Sequence, residues 1–186
     1  MTTYVVLLAL HIIGVIVWLG TTTSLTLLAA YARLRHDREL SDRLPALSRW
    51  FGPRAIGPSS LTTLVTGILL AARSAAGFDD LWVVLAVSAF AAAALVSLGA
   101  RLPATLWRRR ATAAGSVAGI QRADRLLFQG ALVELVILYL AAAEMVLKPT
   151  TADVGWLVGG AAILVLVAVR PLISVPRAPG APAAAR

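Results

Sequence analysis

The chain has 186 residues, 59% of them hydrophobic and only 14% charged, with a mean hydropathy of +0.84. That balance excludes an ordinary soluble globule and indicates a polytopic membrane protein. Cysteine is absent, which removes disulfides, thiolate metal sites and thiol catalysis, and the net charge of +8 comes almost wholly from arginine.

The first apolar run, residues 4–32, is hydrophobic on every face for longer than a soluble core helix requires, as a bilayer span is. Its leader lacks positive charge and the run exceeds a signal-peptide core, so it reads as a retained span. His11, Gly14, Trp18 and Thr22 recur every three to four residues and share one face. Further spans are predicted at about 57–75, 80–101, 125–147 and 154–173, each long enough for a hydrocarbon core of roughly 30 Å.

Between the first two spans, Leu40, Leu44, Leu47 and Phe51 alternate with arginines at helical spacing, which predicts a short helix on the membrane surface. Pro45 is expected in its first turn or at a break, and Gly52-Pro53 and Gly57-Pro58 are expected to turn the chain into the second span. The 101–125 connection, with Pro103 and Arg108 to Arg110, is similar but less regular. Asp79 and Asp80 read as caps opening the third span, and Thr151 or Asp153 as the cap of the fifth. Gly155 to Gly159 forms a GxxxG packing motif.

Arginine and lysine set the orientation. Residues 33–54, 101–125 and the C-terminal tail hold fifteen of them, against two, Arg73 and Lys148, in the other connections. The positive-inside rule then places the N-terminus outside and the C-terminus in the cytoplasm. Tyr4, Trp82 and Trp156 fall at outer ends, and Tyr31, Trp50 and Trp107 at inner ends, as an interfacial belt requires. The predicted architecture is an all-α inner-membrane protein with five transmembrane helices around a four-helix bundle core, N-out and C-in. Residues 1–175 form the membrane domain and 176–186 a disordered cytoplasmic tail. The basic segments suit anionic lipid at the cytoplasmic face, and no nucleic-acid partner is expected.

Ionisable and polar groups at bilayer depth are the candidate site residues. Glu134 is expected near the middle of the fourth span, level with Trp18 and Thr21 on the first helix and with Thr66 and Gly67 on the second. Thr21, Thr22 and Thr66 belong to a hydroxyl-rich zone that either packs on its own carbonyls or lines a polar cavity near Glu134. His11 is expected about level with Tyr139. Glu144 is placed to pair with Lys148 one turn on, or with Arg73, at the outer surface. Zinc-ligand spacing, a nucleophile elbow, a P-loop and a Rossmann glycine pattern are all absent, which favours a non-enzymatic role. His11 and His36 are 25 residues apart, so they cannot share one haem within the chain.

Leu10-His11-Ile12-Ile13-Gly14 followed by Trp18-Leu19-Gly20 resembles the first-helix motif of a group of bacterial membrane proteins. The group comprises CopD-type copper-resistance proteins, HemJ-type protoporphyrinogen oxidases and an uncharacterised integral-membrane family, and the last is the nearest in pattern. Thr66-Gly67 and Leu102-Pro103 are similar to it as well, so the resemblance covers roughly residues 5–147. The resemblance to HemJ-type proteins implies that His11 takes part in binding haem b; Trp18, on the same face, is expected beside it as a contact for haem or a quinone. The further histidine and lysine of those enzymes are missing here, which argues against the oxidase activity. The scarcity of Met and His argues likewise against copper handling. Three roles follow as expectations: a structural, assembly or accessory subunit that binds other membrane proteins; a haem- or quinone-associated redox protein using His11; and a small proton-coupled transporter using Glu134.

Overall fold

The structure is a computed structural model and describes residues 2–73, 80–153, 155, 159 and 160. The described residues form helices and turns, without strands. The helices are α1 (Thr3–Arg35), α2 (Arg38–Phe51), α3 (Gly57–Arg73), α4 (Leu81–Val96), α5 (Leu102–Ala113) and α6 (Val117–Leu147).

These are fewer separate rods than the prolines and glycines suggest. α2 runs into α3 through a π-helical turn at Gly52–Ile56, and α4 into α5 through another at Ser97–Arg101. Each junction is followed by an amide that reaches five residues back, Gly57 N–H to the Gly52 carbonyl and Leu102 N–H to that of Ser97. The wider turn takes up the ring of Pro53 or Pro103, which an α-turn would press against a carbonyl. The expected turn at Gly52-Pro53 is therefore a bulge inside one continuous helix, Arg38–Arg73. Pro45 lies in the interior of α2, neither in its first turn nor at a break. The expected 101–125 connection likewise contracts to Ala114–Ser116, because α5 carries on to Ala113. Hydropathy marks where hydrocarbon ends; helix ends are set by caps.

The caps are legible in the geometry. His36 takes the left-handed conformation at φ 53°, and the Asp37 carboxylate accepts the Leu40 amide at 2.9 Å, so α1 and α2 join in two residues. Gly115 at φ +63° and the Ser116 hydroxyl accepting the Gly119 amide make the second tight turn. Asp80 sits at the N-cap of α4, but its carboxylate holds the Trp82 indole at 3.0 Å instead of an α4 amide. Asp153 accepts the Thr150 amide and hydroxyl at 2.9 and 2.8 Å, and these donors hold its carboxyl below the usual range. It thus closes its own turn.

Four continuous helices of 31 to 36 residues, Thr3–Arg35, Arg38–Arg73, Leu81–Ala113 and Val117–Leu147, are long and apolar enough to cross a membrane. The fifth predicted span, 154–173, and the 176–186 tail lie outside the described residues, apart from Gly155, Gly159 and Gly160, as do Asp79 and Trp156. The four spans form the expected four-helix core. α1 packs along α3 and α2, α6 packs on α1, α4 and α5, and α3 and α4 make little direct contact. Buried apolar positions are mostly alanines (Ala32, Ala71, Ala93, Ala104, Ala111 and Ala123), which lets backbones approach closely. Val83, Leu138 and Trp18 are the larger buried apolar side chains among the described residues; Trp18 packs on Ala93 and Leu138 and meets Phe90 edge-on at 5.5 Å between centroids. The outward faces stay apolar, with Ile16 64% and Leu95 72% exposed, as lipid contact requires. Tyr4, Tyr31, Trp50 and Trp107 are exposed, Tyr4 and Tyr31 towards the two ends of α1.

Candidate functional site

The α1 stripe anticipated from spacing is the buried face of that helix: His11, Gly14, Trp18, Thr22 and Thr26 are all buried. Gly14 brings α3 close, for a Cβ there would stand 2.7 Å from Thr63 Oγ1 and 3.2 Å from the Ser59 carbonyl oxygen. Three residues earlier, His11 Nδ1 lies 3.0 Å from the Thr63 carbonyl oxygen and 3.1 Å from Thr66 Oγ1. A carbonyl oxygen only accepts, so Nδ1 carries the proton. The Thr66 hydroxyl donates to the Thr62 carbonyl at 2.6 Å and is free to accept from the same N–H. This fixes the tautomer and leaves the lone pair on Nε2. Gly67 admits the ring; a Cβ there would lie 3.1 Å from His11 Cε1.

A second cluster joins α4 to α6. Glu134 is buried and forms an ion pair with Arg101, and Ser97 Oγ donates to the same carboxylate oxygen at 3.2 Å. Gly130, one turn before Glu134, makes room for the arginine: a Cβ would stand 2.7 Å from Arg101 Cγ. Glu134 is thus engaged from the Ser97–Arg101 turn, and among the described residues no hydrogen bond joins it to Thr21, Thr22 or Thr66. Sequence reasoning missed Arg101 because it falls at a span end and counts among the arginines that set topology. The available signal was the doubled one-turn spacing, Ser97 to Arg101 and Gly130 to Glu134.

The hydroxyl-rich zone mostly satisfies itself. Thr26 donates to the Thr22 carbonyl at 2.8 Å and Thr23 to that of Leu19 at 2.6 Å. Tyr139 meets Thr23, at 3.1 Å between oxygens, and not the level of His11. Thr21 is half-buried. Among the described residues, Trp18 Nε1, Thr22 Oγ1 and Thr63 Oγ1 are buried without a hydrogen-bond partner. Trp18 and Thr63 border a cavity of about 50 Å³ at the bundle centre, walled otherwise by apolar side chains such as Val15, Phe90, Leu138 and Met145.

The outer ion pair does not form. Glu144 makes no salt bridge among the described residues, and its Oε1 is buried without a partner. Lys148 ends α6 in the left-handed conformation, which swings its ammonium over the Trp82 ring at 5.6 Å. Arg73 closes α3 with its side chain exposed. Among the described residues no three His, Asp or Glu side chains converge on His11 or elsewhere.

Four long apolar helices, small-residue packing and polar groups tied to one another at depth define a polytopic all-α integral membrane protein embedded in a lipid bilayer. The chain belongs to the DUF2269 family, described as a predicted integral membrane protein, whose pattern it matches over residues 5–149. No curated protein and no solved structure matches it.

Proposed function

We propose that this chain is a small subunit of the inner membrane that supports or assembles a larger membrane complex, oriented N-out. One observation carries the role. The two groups best suited to chemistry at depth are both engaged within the bundle, His11 by Thr63 and Thr66 and Glu134 by Arg101 and Ser97. Polar groups used in this way fasten helices together. The partner seat that fits best is the seam between α3 and α4, where two spans flank the central cavity with little contact of their own. The basic hairpin ends support the orientation. Arg33 donates to the Asp124 carbonyl at 2.5 Å and covers the Phe128 ring at 4.3 Å, so both arginine-rich turns lie at one end of the bundle. Purification in mild detergent should yield a stoichiometric membrane partner whose own assembly falls when this chain is deleted. His11→Ala and Glu134→Gln should leave that association in place. A homogeneous preparation without a partner, and unaltered membrane complexes in the deletion strain, would overturn the reading.

A second reading rests on the His11 tautomer. A ring that donates Nδ1–H to a backbone carbonyl presents Nε2 as metal-coordinating histidines do. The neighbouring cavity, at about 50 Å³, is far below the roughly 300–1,000 Å³ of small-molecule sites, so it does not enclose a haem. On this reading haem b or a quinone would lie at the lipid-facing edge of α1. A Soret band that His11→Ala abolishes would establish it; protein that stays colourless after haem supply would remove it. Proton transport through Glu134 is the weakest reading, because Arg101 and Ser97 occupy the carboxylate that would have to carry the proton.

A further inference from the structure

Beside the α4–α6 contact, a groove of about 570 Å³ separates the Gly99–Trp107 stretch from α6. Gly99, Pro103 and Trp107 form one wall and Leu126, Gln129 and Val133 the other. The volume falls within the roughly 300–1,000 Å³ of sites for small organic molecules. The groove is apolar along its length and changes character at one end. There the Arg122 guanidinium lies over the Trp107 ring at 5.5 Å. From Val133 to Arg122 the α6 face extends about 16 Å at 1.5 Å per residue, an elongated shape.

Charge at that end is one-sided. Residues 101–125 hold six arginines and a single carboxylate, Asp124. Asp124 is taken by Arg108 at 2.5 Å, and Arg101 is committed to Glu134. Arg122, exposed and stacked on Trp107, keeps its charge available to an anion, with Arg109, Arg110 and Arg125 exposed nearby in sequence. An apolar channel that opens beside an amphipathic tryptophan and an unspent cation has the polarity profile of a charged amphiphile lying along a membrane protein.

We propose that this groove holds one acyl chain of an anionic glycerophospholipid, with its phosphate on Arg122 and Trp107 at the junction of chain and headgroup. The site is independent of the assembly role. Gly99 supplies a clean test, because a Cβ there meets nothing within 4 Å, so an added side chain grows into the groove and not into the bundle.

The test exposes the purified full chain to equal phosphatidylglycerol and phosphatidylcholine and counts retained lipids by native mass spectrometry. One phosphatidylglycerol should be retained in clear preference. Arg122→Gln should reduce that preference by about fivefold, the worth of one basic residue at a membrane surface. Gly99→Phe should abolish tight retention of either lipid, while Ile16→Phe, on the lipid-facing side of α1, should leave it unchanged. Melting temperatures of the variants report folding, and Arg122→Gln, at an exposed position, keeps the test decisive if Gly99→Phe proves unstable. Equal retention of the two lipids, a preference that survives Arg122→Gln, or displacement of the lipid by inorganic phosphate alone would overturn the proposal.

Discussion

Arg101→Ala is expected to destabilise the folded bundle by an amount near the lower end of about 3–5 kcal/mol, the usual cost of leaving a buried charge unpaired. The lower end applies because the Arg101 side chain is 31% exposed, whereas that of Glu134 is 4% exposed and cannot reach water without opening the α4–α6 contact. The cost arises from the stranded carboxylate more than from the lost attraction. Removing both partners at once should therefore be far milder than removing the arginine. An Arg101→Met, Glu134→Leu double variant is expected within about 1–2 kcal/mol of the parent, since a packed apolar pair replaces a buried ion pair at little net cost. Denaturant titration of the parent, the Arg101→Met and Glu134→Leu single variants and the double variant in one detergent gives the coupling directly. If the double variant is as unstable as the sum of the singles, the ion pair is not a unit and the assigned geometry is wrong.

The second large effect concerns two glycines six residues apart on α1. At Gly14 an added methyl would stand 2.7 Å from Thr63 Oγ1, 3.2 Å from the Ser59 carbonyl oxygen and 3.3 Å from the Thr63 amide nitrogen. The hydroxyl can swing aside but the α3 backbone cannot, so Gly14→Ala should force the helices apart and cost about 1–3 kcal/mol. It should also loosen the His11 contact with the Thr63 carbonyl, one turn along the same seam. At Gly20 nothing lies within 4 Å, so Gly20→Ala should be neutral or stabilising by up to about 1 kcal/mol, the helix-propensity gain. Thr63→Ala added to Gly14→Ala removes the nearest clash and should recover part of the loss. Equal melting temperatures for the two single glycine variants would show that α1 and α3 do not meet through Gly14.

Much of the architecture was legible because membranes impose simple constraints. A span must be apolar over a fixed length, so four of the predicted spans could be placed from hydropathy. The stripe of His11, Gly14, Trp18 and Thr22 was equally legible, since residues three to four apart must share a face. Helix ends were less so. Arginines and Gly-Pro steps mark where lipid ends, yet a helix continues past both when a π turn absorbs the proline, as at Gly52–Ile56 and Ser97–Arg101.

What the sequence determined by itself is the class: an all-α integral membrane protein with a buried polar face on its first helix and an arginine-rich end. That follows from composition, periodicity and charge, which are properties of the chain taken locally. Partner choice was decided only in the tertiary structure. Glu134 lies 33 residues from Arg101, and His11 lies 52 from Thr63. Depth counting along ideal rods sets Glu134 level with a hydroxyl zone that either packs on itself or lines a cavity near it, and offers Glu144 either Lys148 or Arg73. The bundle instead turns Glu134 towards α4 and sends Lys148 over Trp82. The reason is rotational. Depth along a helix follows from residue number at 1.5 Å each, but which neighbour a side chain meets depends on how the helices are rotated against one another. That rotation is set by where small residues such as Gly14 and Gly130 allow close approach, a property of pairs of helices that no single segment carries.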